Sequence, residues 1–131
     1  MTDLSIVIVS LNIKDLLRKC LSSVFASEDK FVYEVFVVDN ASSDGTPEMV
    51  SKEFPQVKVI KNKKNIGFGP ANNIAMKKAK GKYTLLLNPD TEVINKNTLS
   101  QMVSWMDKNP KTGISSCALL NSDKTYQGSG G

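Results

Sequence analysis

Two apolar runs that each stop at a carboxylate organise the chain: Tyr33-Glu34-Val35-Phe36-Val37-Val38-Asp39-Asn40 and Tyr83-Thr84-Leu85-Leu86-Leu87-Asn88-Pro89-Asp90-Thr91. Runs of this kind read as buried strands of a parallel sheet. Leu4 to Ser10 gives a first strand of the same type, Val57 to Lys61 a shorter one, and Gly113 to Leu120 a last one. Between the first two strands, Leu16, Leu17, Cys20, Leu21, Val24 and Phe25 recur with helical spacing. Thr46-Pro47 supplies an N-cap and a first-turn proline for a helix that ends near Phe54-Pro55. Gly69-Pro70 opens a third helix, stopped by Gly81, and Asn95 to Asn109 carries Leu99, Met102, Val103 and Met106 on one face of a fourth. The order β-α-β-α-β-α-β-α-β with short connections predicts an α/β fold. Its form is a doubly wound, mostly parallel sheet with helices on both faces. Such sheets bind ligands beyond the carboxyl ends of their strands, which places Asp39 and Asp90 on a ligand edge.

Composition narrows the chemistry. At 131 residues, 40% hydrophobic and 23% charged, the chain has the make-up of one globular domain. It has no apolar stretch near membrane-span length and no signal-peptide pattern at its start, so a cytoplasmic location is expected. With no histidine, serine-type triads, histidine bases and most zinc sites are excluded within the chain. Cys20 and Cys117 lie in apolar contexts without metal-ligand spacing and are expected to be reduced core residues. The net charge of +4 is uneven, because Lys58, Lys61, Lys63, Lys64, Lys77, Lys78, Lys80 and Lys82 crowd the middle. A solvated face and a nearby anionic ligand or membrane surface are both open readings.

Three segments carry candidate chemistry. Asp39 is followed by Asn40-Ala41-Ser42-Ser43-Asp44-Gly45-Thr46, where a turn and helix cap account for Asp44 to Thr46 but leave the strand-end Asp39 needing a partner. Asn65-Ile66-Gly67-Phe68-Gly69-Pro70-Ala71-Asn72-Asn73 is glycine-rich and opens a helix, yet it is not a dinucleotide fingerprint. Asn72 stands where the third glycine should be, and the loop follows the third strand. It lacks the Gly-Lys-Ser/Thr of a phosphate loop as well. Asn88-Pro89-Asp90 reads either as an ordinary turn or as a place where Asp90 meets a hard divalent cation shared with phosphate oxygens. Asn40-Ala41-Ser42 has the form of a glycosylation acceptor, but without a secretion signal it is expected to be unmodified.

Together with the opening Ser5-Ile6-Val7-Ile8-Val9-Ser10-Leu11-Asn12, these segments resemble the inverting glycosyltransferases of family 2, which have the A-type nucleotide-diphospho-sugar fold. The resemblance implies that Asp39 accepts a hydrogen bond from the donor's pyrimidine, supported by Ser10, Leu11 and Asn12. Asn65, Gly67 and Asn88 would face the donor, and Asp90, as the last Asp of an Asp-x-Asp motif, would hold Mg²⁺ or Mn²⁺. Asn88 replaces the first Asp of that motif, and Asn72 stands where many members carry arginine. These departures, with Leu119-Leu120-Asn121-Ser122-Asp123, look most like the rhamnosyltransferase-type branch that builds bacterial surface polysaccharides, with a dTDP-sugar donor ahead of a UDP-sugar.

The implied partners are a nucleoside-diphosphate sugar and a saccharide or lipid-linked acceptor, with peripheral membrane association of a full-length protein allowed and oligomeric state left open. Residues 1–120 are expected to form the donor-binding domain, and 121–131 a flexible tail that starts a missing acceptor half. No residue matches the family's general base, which is expected beyond Gly131, so the isolated chain is expected to be inactive. A non-catalytic nucleotide-binding α/β module is the alternative. A nucleic-acid binder is disfavoured, since no basic helix carries interleaved aromatics.

Overall fold

The computed structural model describes residues 1–27, 30–125 and 127. Among them, strands β1 (Leu4–Ser10), β2 (Tyr33–Asp39), β3 (Lys58–Lys61) and β4 (Tyr83–Leu86) alternate with helices α1 (Lys14–Phe25), α2 (Thr46–Glu53), α3 (Phe68–Lys78) and α4 (Thr98–Lys108). The strands lie in the order β3-β2-β1-β4, and every pairing is parallel. From β1 the chain winds outward to β3 and then crosses to the other side for β4. The winding therefore reverses between β1 and β4, which is where an open α/β sheet has its crevice. Ser10 pairs with Asp39, and Asp39 with Lys61, so three strand ends lie level on the carboxyl edge.

Period-two alternation divides the apolar residues between two cores. Leu4, Ile6, Ile8, Val35 and Val37 point to one face and pack with Leu17, Cys20, Leu21 and Val24 of α1, Met49 and Val50 of α2, and Leu99 and Val103 of α4. Val7, Val9, Phe36 and Val38 point to the other, where Ala71 and Ala75 of α3 cover them. With helices on both sides, β1 is buried along its whole length, as its unbroken apolar run requires.

Three expectations fail here. β4 is not buried on both faces: Tyr83, Leu85 and Leu87 pack on the first core, whereas Thr84 and Leu86 are exposed. The cause is coverage, since α3 sits over β1 and β2. Gly113 to Leu120 does not form the expected fifth strand; only Leu120 makes a bridge, and Ile114 is 93% exposed. Cys117, expected in the core, is exposed with the rest of that segment, while Cys20 is buried. An apolar run records a tendency to be covered, and this one finds no neighbouring strand among the described residues. Of the tail expected at 121–131, residues 121–125 and 127 are described, with Asn121 N donating to Thr125 O at 2.7 Å and Gln127 N to Leu119 O at 2.8 Å; Tyr126 and Gly128 to Gly131 lie outside the described residues.

Helix ends shift for local reasons. Thr46 and Phe68 are first helical residues, preceded by Gly45 (φ +84°) and Gly67 (φ +88°) in the left-handed half of backbone space where glycine is favoured. Helix α3 ends at Lys78, so Gly81 is not its stop. Gly81 is needed for close approach: a Cβ there would lie 2.5 Å from the Ser5 backbone nitrogen. At this amino edge Gly81 N donates to Ser5 Oγ (2.8 Å), which donates to Glu34 Oε1 (2.6 Å). Lys80 N (2.7 Å) and Lys58 Nζ (2.6 Å) donate to the same carboxylate, which fastens the α3 to β4 connection beneath the sheet.

Candidate functional site at the carboxyl edge of the sheet

Asp39 ends β2 and is 2% exposed. Its Oδ2 accepts from Ser42 N (2.9 Å) and its Oδ1 from Ser42 Oγ (2.6 Å). The same Ser42 Oγ accepts from Asn12 N (2.9 Å), and Asn12 Oδ1 accepts from Ser43 N (2.8 Å). The loops after β1 and β2 are thereby laced to one another. The lacing holds Asn12 (φ +52°) and Ala41 (φ +66°) in the left-handed region, an outlier for alanine that the surrounding bonds over-determine.

Asp44 anchors the far side of this loop. Its Oδ1 accepts from the backbone N–H and the hydroxyl of Thr46, and its Oδ2 from Lys14 N at 3.1 Å. Burial alone would raise the Asp44 pKa, but these hydrogen bonds outweigh it and hold the group below the ordinary carboxylate value. That is the turn expected from the sequence, whereas the cap expected at Thr46 is not formed: Gly45 is the N-cap and Thr46 the first helical residue.

Asn40, which is not among the residues expected to face the donor, joins two of the three candidate segments. It is 3% exposed on the α3 side of the sheet, its N donates to Ser10 O (2.9 Å), and its Nδ2 donates to Gly67 O (3.2 Å). Its Oδ1 accepts from Asn62 Nδ2 at 2.9 Å. Asn65 Oδ1 in turn accepts from Gly67 N (2.9 Å), which closes the loop leading into α3. The available signal was the alternation itself, since a residue one past Asp39 must face the opposite side of the sheet.

The expected residues thus fall into two groups. Ser10, Asn12 and Asp39 are tied together, and Asn65 and Gly67 are joined to them through Asn40. Leu11 lies between Ser10 and Asn12 and is 39% exposed. The Ser10 hydroxyl is buried and has no hydrogen-bond partner among the described residues. Asn88 and Asp90 form the second group, on the loop that leaves β4 beside β1. Leu87 N still donates to Val7 O (2.9 Å), and Asn88 O accepts from Thr91 Oγ1 (2.7 Å) and from the buried Cys20 thiol at 3.8 Å. Asp90 is exposed and makes no hydrogen bond or ion pair among the described residues.

Among the described residues no three metal-ligating side chains converge. A lone exposed carboxylate still suits an ion such as Mg²⁺, which takes one or two protein carboxylates and fills its shell with phosphate oxygens and water. What the edge offers is a buried, oriented carboxylate on one side of the winding reversal, a free carboxylate on the other, and glycine-bearing backbone between them.

Comparison with known proteins follows the same outline. The model of the Glycosyl transferase family 2 domain matches residues 5–130. The protein Rv1520 of Mycobacterium tuberculosis is 30% identical over 115 residues, covering 85% of this chain and 33% of its own. The poly(ribitol-phosphate) beta-N-acetylglucosaminyltransferase TarS of Staphylococcus aureus is 32% identical over 113 residues, covering 82% of this chain and 19% of its own. Residues 1–349 of TarS, solved in complex with UDP-GlcNAc, superpose with a TM-score of 0.72 at 29% identity, over 82% of this chain and 32% of that one. The mannosyltransferase PcManGT of Pyrobaculum calidifontis, solved with GDP-Man and Mn²⁺, shares the fold at 24% identity, with a TM-score of 0.72 over 79% of this chain and 32% of its own. The chain spans a third or less of the length of the curated relatives it matches.

Proposed function

We propose, because the chain belongs to glycosyl transferase family 2, that its carboxyl edge binds the nucleoside-diphosphate sugar of an inverting sugar transfer. In that reaction an acceptor hydroxyl attacks the anomeric carbon from the face opposite the departing nucleoside diphosphate. The observation that carries the reading is the state of Asp39. A carboxylate has about four lone-pair positions, and Ser42 occupies two, so the group is fixed in direction while keeping capacity for a pyrimidine N–H. Ser10 to Asn12 flank it, and Asn65, Gly67 and Asn88 would face the ribose and diphosphate.

Asp90 would hold Mg²⁺ or Mn²⁺ together with the diphosphate; when bound, the ion neutralises charge on the leaving group. Asn88, an amide in place of a carboxylate, leaves Asp90 as the single carboxylate of Asn88-Pro89-Asp90. The TarS complex supports a UDP-sugar, and a dTDP-sugar is the other donor to test. We assign no catalytic base to this chain. Asp107 is engaged by Lys82 (2.8 Å) and Tyr83 (2.6 Å), and Asp123 by Thr125 (2.6 Å). These bonds lower both pKa values, which weakens either group as a base. The reading therefore assigns the base to a part of a longer protein and expects the isolated chain to bind donor without transferring sugar. The setting we infer is bacterial surface polysaccharide synthesis at the cytoplasmic side of the membrane, with a saccharide or lipid-linked acceptor.

Calorimetry with UDP and dTDP, with and without Mn²⁺, tests the assignment. UDP binding should strengthen with Mn²⁺, Asp90→Ala should abolish that dependence, and Asp39→Ala should weaken UDP binding by roughly tenfold or more. Binding indifferent to metal, or unchanged in Asp90→Ala, would remove the donor site from this edge.

A further inference from the structure

Asp90 makes no hydrogen bond of its own among the described residues, so its place is set by the backbone on either side of it. That backbone is fastened to one helix at both ends. On the β4 side, Asn88 O accepts from the Cys20 thiol of α1 at 3.8 Å. On the far side, Val93 N donates to Ser23 Oγ of the same helix at 2.8 Å, and that hydroxyl donates to Cys20 O at 2.7 Å. Cys20 and Ser23 stand three positions apart, hence on one face of α1. Residues 88 to 93 thus form an arch with both feet on that face.

The arch is also braced from within. Thr91 Oγ1 (2.7 Å) and Thr91 N (3.2 Å) both donate to Asn88 O, and the Pro89 ring fixes a backbone angle next to Asp90. Its two feet differ in strength, because a thiol is a weak donor, whereas the bond from Val93 N to Ser23 Oγ has the ordinary amide length. A serine hydroxyl inside a helix commonly does no more than donate to a carbonyl three or four residues back. Here its acceptor side is taken by an amide 70 positions away, on the loop that carries the free carboxylate. Val93 already packs against the first core, so the hydroxyl is not needed to cover its side chain. What Ser23 adds is a fixed position for the backbone three residues past Asp90.

We infer, resting on the donor reading above, that Ser23 is a positioning residue for Asp90: by holding Val93 N it keeps the arch in place, so that the carboxylate is presented to a divalent cation. A loosened arch would still carry Asp90, but the loop would have to be ordered when the ion binds, and that ordering costs affinity.

Calorimetric titration with UDP, with and without Mn²⁺, compares the parent with Ser23→Ala, Ser23→Thr, Thr91→Val and Asp90→Ala. Ser23→Ala should reduce the factor by which Mn²⁺ strengthens UDP binding roughly fivefold, and leave metal-free UDP affinity at the parent value. Ser23→Thr keeps the hydroxyl and should restore the parent factor. Thr91→Val removes a brace on the loop itself and should lower the factor too, so the outcome does not hang on how well Ser23→Ala folds. Hydrogen exchange gives a readout that needs no metal: the Val93 amide should be protected in the parent and exchange roughly tenfold faster in Ser23→Ala. If Asp90→Ala abolishes the Mn²⁺ effect while Ser23→Ala and Thr91→Val keep the parent factor, the donor site stands and the positioning role falls. A lowered melting temperature in Ser23→Ala beside an unchanged factor has the same meaning, since Ser23 would then only staple the fold. An unprotected Val93 amide in the parent also overturns the role, and a parent indifferent to Mn²⁺ sinks it together with the donor reading.

Discussion

Asp39 and Asp90 reach the same edge in opposite electrostatic conditions, and the difference sets what each can do. Asp39 is held by Ser42 and nearly sealed, so it can direct a hydrogen bond; Asp90 is exposed and unengaged among the described residues, so it can accept a cation. The place of Asp39 at the end of β2 was legible in the sequence, because a carboxylate closing an apolar run marks the carboxyl edge of a parallel sheet, whereas Asp90 lies on the loop past Leu86, where β4 stops. The partners were not, since Ser42 and Asn12 are 30 residues apart and only the pairing of β1 with β2 brings them together. The two cysteines make the same point, because similar apolar neighbours lead to opposite environments. Burial pushes the Cys20 thiol pKa up to about 12, while Cys117 is exposed. A thiol reagent at pH 8 should therefore modify Cys117 rapidly and Cys20 only after unfolding, as mass spectrometry of the time course would show.

At the level of elements, Glu34 governs how the amino edge responds to acid. Burial favours its neutral form, but bonds from Lys58, Ser5 and the Lys80 backbone outweigh this and bring its pKa from 4.5 to about 2. A carboxylate whose pKa is depressed by folding stabilises the fold above its unfolded value, and that contribution is lost as the pH falls through the folded value. The parent should thus lose stability between about pH 4.5 and pH 2, and Glu34→Gln should show a shallower loss over that window in urea titrations. Equal slopes for the two proteins would mean that the Glu34 contacts contribute nothing to folding. None of this network could be read from the sequence, where Glu34 is one polar residue near the start of a strand. The alternation of β2 and the helical face of α1 could be read, because each is a local period. The fate of Gly113 to Leu120 could not, since strand formation depends on a neighbour that local pattern does not specify.

At the scale of the whole molecule, the winding order decides both the site and its surroundings. Successive β-α units on either side of β1 put the crevice between β1 and β4, and they also leave α3 as the helix packed on the second face. The fold class followed from the order of elements, and the family from three ordered segments, each unremarkable alone. The division of charge was visible in the sequence, whereas the burial of Ala71 and Ala75 of α3 against the second face of the sheet depends on the fold. The same winding order leaves the two outer strands of the sheet unequal. β3 is flanked by Lys58 and Lys61, charges that discourage another chain from adding to it, whereas Tyr83-Thr84-Leu85-Leu86 carries no charge and turns Leu86 outward. In concentrated solution β4 is then the point where copies of this chain would begin to aggregate by strand addition. Leu86→Lys should slow that process, followed by light scattering at fixed protein concentration, while Lys58→Val should hasten it by opening the guarded side as well.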